Sequence, residues 1–176
     1  MAKKKNVNLT TVIVAALALV ALIMMFLPAV SYVNNDKVEN FSTFQILFGK
    51  NIDTVKAGAF GITVGYTMSF KFSLPVMLAC LFILIGLVVS VLNVFGILEN
   101  KLFGLIIGVL LIVSAVLMLV MVDIAPYIIK YENSDKPSYG KFASLNEAKL
   151  GTGAIIAGIT AGLAGLVSVW KAAYNK

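Results

Sequence analysis

The chain has 176 residues, of which 60% are hydrophobic and 12% charged, with a net charge of +6. Soluble domains average about 45–50% apolar and about 25% charged residues, so a water-surrounded globular fold is excluded by the apolar surface it would have to hide. The 14 cations are all Lys, there is no His, and Cys80 is the single Cys; these absences remove bidentate phosphate and base recognition, imidazole metal sites, His-containing triads and internal disulfides. No catalytic residue, cofactor, metal or nucleic-acid partner is therefore expected, and the partner that composition implies is a lipid bilayer.

In chain order, no charged residue occurs between Lys5 and Asp36, and the core of that run, Thr11 to Val30, matches the roughly 20 residues that span hydrocarbon. A first span over about 9–31 follows. Lys3, Lys4 and Lys5 ahead of an apolar run and Ala29-Val30-Ser31 also fit a cleaved secretory signal, although the run is longer than the usual core of about 7–15 residues. Uncharged runs on either side of Glu99-Asn100-Lys101 predict a second span over 74–97 and a third over 102–124. So short a polar link forces an antiparallel hairpin, because unpaired backbone is not tolerated in hydrocarbon. A fourth span covers 150–170, with Trp170 and Tyr174 placed for an interfacial belt.

The fold class expected is an all-α membrane protein: one domain over 1–176, a four-helix transmembrane bundle with a small extracytoplasmic β-sheet or hairpin from the first outer loop. An even number of spans puts both termini on one side. Lys3, Lys4, Lys5, Lys101, Lys171 and Lys176 crowd the short segments there, whereas the other eight Lys are diluted over longer loops that hold six of the eight acids, with Asp123 at the edge of the second loop. The charge density places both termini in the cytoplasm and the chain in the cell membrane as a multi-pass protein. Asp123 closes the third span just before Pro126, which suits a hydrated helix-end carboxylate. Cys80, inside an apolar run, reads as a small hydrophobe.

Helices in lipid associate by close packing at small residues. Ala154, Gly158 and Gly162 recur every four residues in the fourth span, with Ala157, Ala161 and Gly165 as a second ridge, and Gly104 and Gly108 repeat the spacing in the third. Gly86 and Ser90 offer a weaker version in the second. These ridges predict packing inside the bundle, or a spare ridge for a membrane-protein partner or a second copy.

The first outer loop, about 32–73, changes period. Tyr32-Val33, Asn34 to Lys37 and Val38 read as strand, turn and strand. Phe41, Phe44, Leu47 and Phe48 then share a helical face ending at Gly49, an amphipathic segment for the membrane surface or the bundle top. From Phe60 to Phe72 apolar and polar residues alternate, with Phe60, Ile62, Val64 and Tyr66 on the apolar side, which predicts β-structure with one buried face. An unbroken strand would run about 43 Å, so a bend or bulge at Gly61 or Gly65 is expected, with pairing to the Tyr32 to Val38 hairpin. The second loop, about 125–149, shows no periodicity that fixes its structure.

Four spans, a β-forming first outer loop, a tight inner turn and a shorter second outer loop resemble the architecture of claudin-like tetraspan proteins. The Trp and Cys pair of the claudin first loop are missing, so barrier or pore function does not follow. Phe26-Leu27-Pro28, Phe44-Gln45-Ile46-Leu47-Phe48-Gly49 and Leu150-Gly151-Thr152-Gly153 are similar to segments of small uncharacterised four-span membrane proteins of low-GC Gram-positive-type bacteria. That resemblance implies a shared fold and no assigned activity.

The function expected is a non-enzymatic structural or partner-assisting membrane subunit. It would act through its helix faces (Gly104, Gly108, Ala154, Gly158, Ala161, Gly162 and Gly165) and its outer loop (Phe41, Phe44, Phe60, Ile62, Val64 and Tyr66). An oligomeric channel or small-solute transporter is the second reading, with Thr10, Thr11, Ser90, Ser114, Thr160 and Ser168 the scattered polar side chains that would have to line it. A membrane-interface enzyme comes last.

Overall fold

The computed structural model describes residues 9–34, 37–59, 62–98, 100–131, 136–145 and 147–174. In chain order they form α1 (Leu9–Met24), β1 (Pro28–Asn34), β2 (Lys37–Ser42), α2 (Thr43–Phe48), β3 (Asn51–Ala59) and β4 (Ile62–Phe70). Then follow α3 (Leu74–Val94), α4 (Lys101–Leu119), α5 (Met121–Ile124), β5 (Pro126–Tyr131), β6 (Ser138–Lys141), a 3-10 turn (Phe142–Ser144), β7 (Lys149–Leu150) and α6 (Thr152–Tyr174). The fold is mostly helical, with two small sheets.

Among the described residues, α3, α4 and α6 are long and apolar enough to cross a membrane, while α1, at 16 residues, is apolar but shorter. That composition is compatible with a multi-pass membrane protein. Each of these four helices packs on two others: α1 on α3 and α6, and α4 on α3 and α6, which closes a square. Small side chains make the close approach possible. Ala18 and Ala21 of α1, Ala79 of α3, Ala115 of α4 and Ala154, Ala157, Ala161 and Ala164 of α6 are all buried, whereas the opposite faces expose Leu, Ile and Val.

The first helix stops well short of residue 31. After Met24 the amides of Met25, Phe26 and Leu27 donate to carbonyls three residues back, and Pro28, which restricts the residue before it and has no N–H to donate, begins β1. The expected span over 9–31 is therefore a helix over 9–24 with a strand after it. Helix α3 ends at Val94 rather than 97. Helix α4 begins at Lys101, where the Asn100 side chain accepts from the Leu102 amide at 3.0 Å, and breaks at Val120 before the single turn of α5. The fourth helix begins at Thr152 rather than 150, because Lys149 and Leu150 pair with Ser31 and Val30 as β7.

The strands also depart from expectation. The alternating segment forms β4 over 62–70, ending before residue 72 and with residues 60 and 61 outside the described ones, and it pairs with β3 and β5, not with the Tyr32 to Val38 segment. That segment supplies β1 and β2, which pair antiparallel with Asn34 opposite Lys37 and belong to a separate sheet, ordered β2-β1-β7. The other sheet runs β3-β4-β5-β6 and draws β5 and β6 from the second loop, so two sheets stand where one was expected. Gly61 lies outside the described residues. Gly65 pairs regularly with Lys56, and the irregularity falls between Ile52 and Val55 of β3.

Between β2 and β3 the chain turns through α2. The Ser42 hydroxyl accepts from the Gln45 amide while the Gln45 side chain accepts from the Ser42 amide, a reciprocal cap that starts the helix after Phe41 rather than at it. Gly49 ends it at φ +76°, a left-handed conformation that suits glycine.

Both sheets sit at one end of the helices, since α1 leads into β1, α3 leaves β4, α5 leads into β5 and α6 leaves β7. Tertiary bonds fasten this cap, among them the Gly151 amide donating to Ala29 O at 2.8 Å, the Phe142 amide to Ala125 O at 2.8 Å and the Ser73 hydroxyl to Ile124 O at 3.1 Å. At the other end the Lys171 ammonium donates to the Thr11 hydroxyl, joining α6 to α1.

Candidate functional site

The small residues singled out in α4 and α6 meet one another. A Cβ added at Gly108 would lie 2.9 Å from Gly165 O, and one at Gly165 would lie 2.7 Å from Gly108 O. At Gly158 the neighbours would be Leu119 Cγ at 2.9 Å and Ala115 O at 3.3 Å. Gly104 and Gly162 stand farther off, with ordinary contacts at 3.5 Å and 3.4 Å. Ala154 and Ala161 are fully buried. Both ridges of α6 are thus occupied within the chain, and the spare ridge that a partner would need is not left open.

Three hydroxyls of the long helices are likewise bonded within the chain, while Thr43 Oγ1 of α2 is buried without a partner among the described residues. Ser114 Oγ donates to Ala79 O of α3 at 2.8 Å, Ser168 Oγ to Gly104 O of α4 at 2.7 Å, and Thr160 Oγ1 to Ile156 O of its own helix at 2.7 Å. Backbone bonding of this kind leaves no hydroxyl hydrogen over for a solute.

A four-membered aromatic ring system joins the two sheets. Tyr32 (β1) and Phe41 (β2) have centroids 6.1 Å apart, Phe41 and Phe70 (β4) 4.9 Å, Phe70 and Phe142 (the 3-10 turn) 5.8 Å, and Phe142 and Tyr32 5.7 Å. Stacked and edge-on contacts alternate around this closed circuit, as aromatic quadrupoles favour. It continues into the helix core through Met25, Met118 and Met121. Phe41, expected on the helical face with Phe44, Leu47 and Phe48, lies instead in β2 before the Ser42 cap and is buried. Phe142 carried no signal in the sequence, since its segment lacks any period.

Of the remaining loop candidates, Phe44 is half-buried and stacks with Phe26 at 4.5 Å and Phe48 at 6.3 Å. Ile62, Val64 and Tyr66 lie in β4, where Tyr66 is opposite Tyr131; their side chains, and all of Phe60, lie outside the described residues.

The four-stranded sheet has two unlike faces. Register puts Phe70 beside Tyr127 and Met68 beside Ile129 on one side, and Met68 and Phe70 are buried. On the other, strand alternation places Thr67 and Ser69, then Ile128 and Lys130, then Tyr139 and Lys141. Lys130, Tyr139 and Lys141 are exposed, and the Lys71 ammonium hangs 5.3 Å from the Tyr139 ring centre. Among the side chains described on β4, β5 and β6 this face carries Lys and no acid, while the side chains of β3, Asp53 among them, lie outside the described residues. It is a cationic, tyrosine-centred surface, which the sequence did not disclose because β5 and β6 were not apparent.

Asp123 is exposed and Cys80 buried. Among the described residues no group of His, Cys, Asp and Glu side chains is arranged to hold a metal ion. No protein-family model, curated protein or solved structure matches the chain.

Proposed function

We propose that the chain is a four-span membrane protein with both termini in the cytoplasm, serving as a non-enzymatic structural or partner-assisting subunit through the exposed face of its four-stranded sheet. α1 is read as the fourth span because the square is incomplete without it: Thr11, Val14, Ala18 and Ala21 are buried along its whole length. The clustered Lys of the short segments at the ends support the orientation.

The observation that carries the functional reading is a contrast. The small-residue seams and the hydroxyls of Ser114, Thr160 and Ser168 are used up inside the chain, while Lys71, Lys130 and Lys141 around Tyr139 stay exposed. A face of that kind suits an acidic or polar protein surface, with attraction that weakens as salt rises. A photo-crosslinking residue at position 139, irradiated in native membranes, is expected to yield an adduct with another membrane or envelope protein, reduced at high salt. Finding the protein always alone, with the Lys130 and Lys141 substitutions without effect on growth or envelope integrity, would refute this reading.

An oligomeric channel would require hydroxyls free to line a path. Liposome flux that rises with protein and falls on substitution of Ser114 or Thr160 is the result that would reverse the order.

A further inference from the structure

One patch of the surface is apolar where the cap would otherwise meet water. Phe26 is 68% exposed, just past the end of α1, and Phe48 is 80% exposed at the end of α2. Phe44 bridges them, tilted at 38° on Phe26 and nearly parallel, at 8°, to Phe48. The opposite side of α2 is firmly seated, with Thr43 and Ile46 fully buried. The rings are therefore held outward by a fixed helix rather than by a loose loop.

The same patch continues the exposed apolar face of α1 through Leu19, Ile23, Phe26 and Leu27. Helix α1 ends at Met24, and the turns after it carry this apolar face on through Phe26 and Leu27. Phe26, Phe44 and Phe48 stand at that end. Directly beyond them Lys50 is exposed, with its ammonium 5.9 Å from the Phe41 ring centre, a cation placed for lipid phosphate at the headgroup level.

We infer that α2 and Phe26 form an interfacial foot: the Phe26, Phe44 and Phe48 rings lie in the outer leaflet, continuing the apolar belt past the end of α1, and the occupant of the patch is lipid. This rests on the four-span reading. Aromatic rings prefer this depth, because their apolar bodies enter the acyl region while the adjoining polar groups stay hydrated. The foot would also fix the tilt of the cap on the membrane, since α2 contacts β1, β2, β4 and α3.

The test uses the full chain in phosphatidylcholine vesicles. Trp170, the single native Trp, is exposed at the opposite end of the helices, so W170F with F48W gives one indole at the foot, and W170F with F26W gives a second variant. Vesicles are made with lipids brominated near the carbonyl end or near the methyl end of the acyl chain. An indole lying about 5–10 Å into the headgroup and acyl boundary is expected to be quenched roughly twofold more by the shallow bromines than by the deep ones. If neither indole is quenched while wild-type Trp170 is, water, a second copy or another protein covers the patch; the inference is overturned and the four-span reading stands. Strongest quenching by the deep bromines also overturns it. Loss of quenching at Trp170 as well would bring down the four-span reading with it.

Discussion

Gly108 of α4 and Gly165 of α6 press main chain against main chain, each standing where a methyl group on the other helix would strike a carbonyl oxygen at 2.9 Å or less. Carbonyls in a helix cannot swing away as a side-chain tip can. Gly108→Ala and Gly165→Ala are therefore expected to cost about 1–3 kcal/mol through overpacking. Gly104→Ala and Gly162→Ala, whose added methyls meet neighbours at 3.5 Å and 3.4 Å, should be near neutral. Thermal unfolding in detergent separates the pairs, and equal melting temperatures for all four variants would contradict the close approach.

Ser114 provides a second link across helices. Its hydroxyl hydrogen bond to Ala79 O holds α4 against α3, and such bonds in membrane proteins average about 0.6 kcal/mol with a maximum near 1.7. Ser114→Ala is expected to lower stability within that range while leaving the fold intact. Because an alanine leaves only a carbonyl with one bond fewer, a loss far above it would mean that Ser114 does something besides packing.

The aromatic circuit predicts where the cap fails first. Phe142 is fully buried between Tyr32 and Phe70, so Phe142→Ala should cost about 3–5 kcal/mol. Limited proteolysis is expected to cut within the two cap segments of that variant while the helices stay protected. A double-substitution cycle on Phe70 and Phe142 should show a coupling of about 0.5–1.5 kcal/mol. Zero coupling would mean that the two rings are neighbours without a shared stabilisation.

Helix α2 is set at both ends by local chemistry. Ser42→Ala removes a cap worth about 1 kcal/mol. Gly49→Ala should cost about 1–2 kcal/mol for the left-handed φ of +76°, and its Cβ would also press on Phe70 O at 3.2 Å. Gly49→Asn should cost less, because Asn tolerates that conformation better. Faster amide exchange over 43–48 in the Ala variants alone is the expected record.

Much of the helical part was legible because membrane insertion is read over short contiguous stretches. The long apolar runs around Glu99-Asn100-Lys101 and after Lys149 mark α3, α4 and α6 without reference to any other part of the chain, and the spacing of Gly104, Gly108, Gly158, Gly162 and Gly165 marks residues that the fold brings into one seam. Gly49 likewise marked the end of α2.

Tertiary structure decided the cap. β-pairing joins residues distant in sequence, so no window around Tyr127 to Tyr131 could show that this segment lies beside β4, or that Lys149-Leu150 lies beside β1 instead of starting a helix. The alternation from Ile62 to Phe70 announced a strand but not its partner, since period two specifies faces and is silent about neighbours. Phe41 shares its spacing with Phe44, Leu47 and Phe48, yet the Ser42 cap starts the helix after it and leaves it in β2, and Phe142 lies in a segment whose aromatic residues no periodicity places. Their meeting with Tyr32 and Phe70, and the cationic face on the far side of the sheet, arise because four chain segments converge at one end of the helices, an outcome set by long-range packing rather than by local preference.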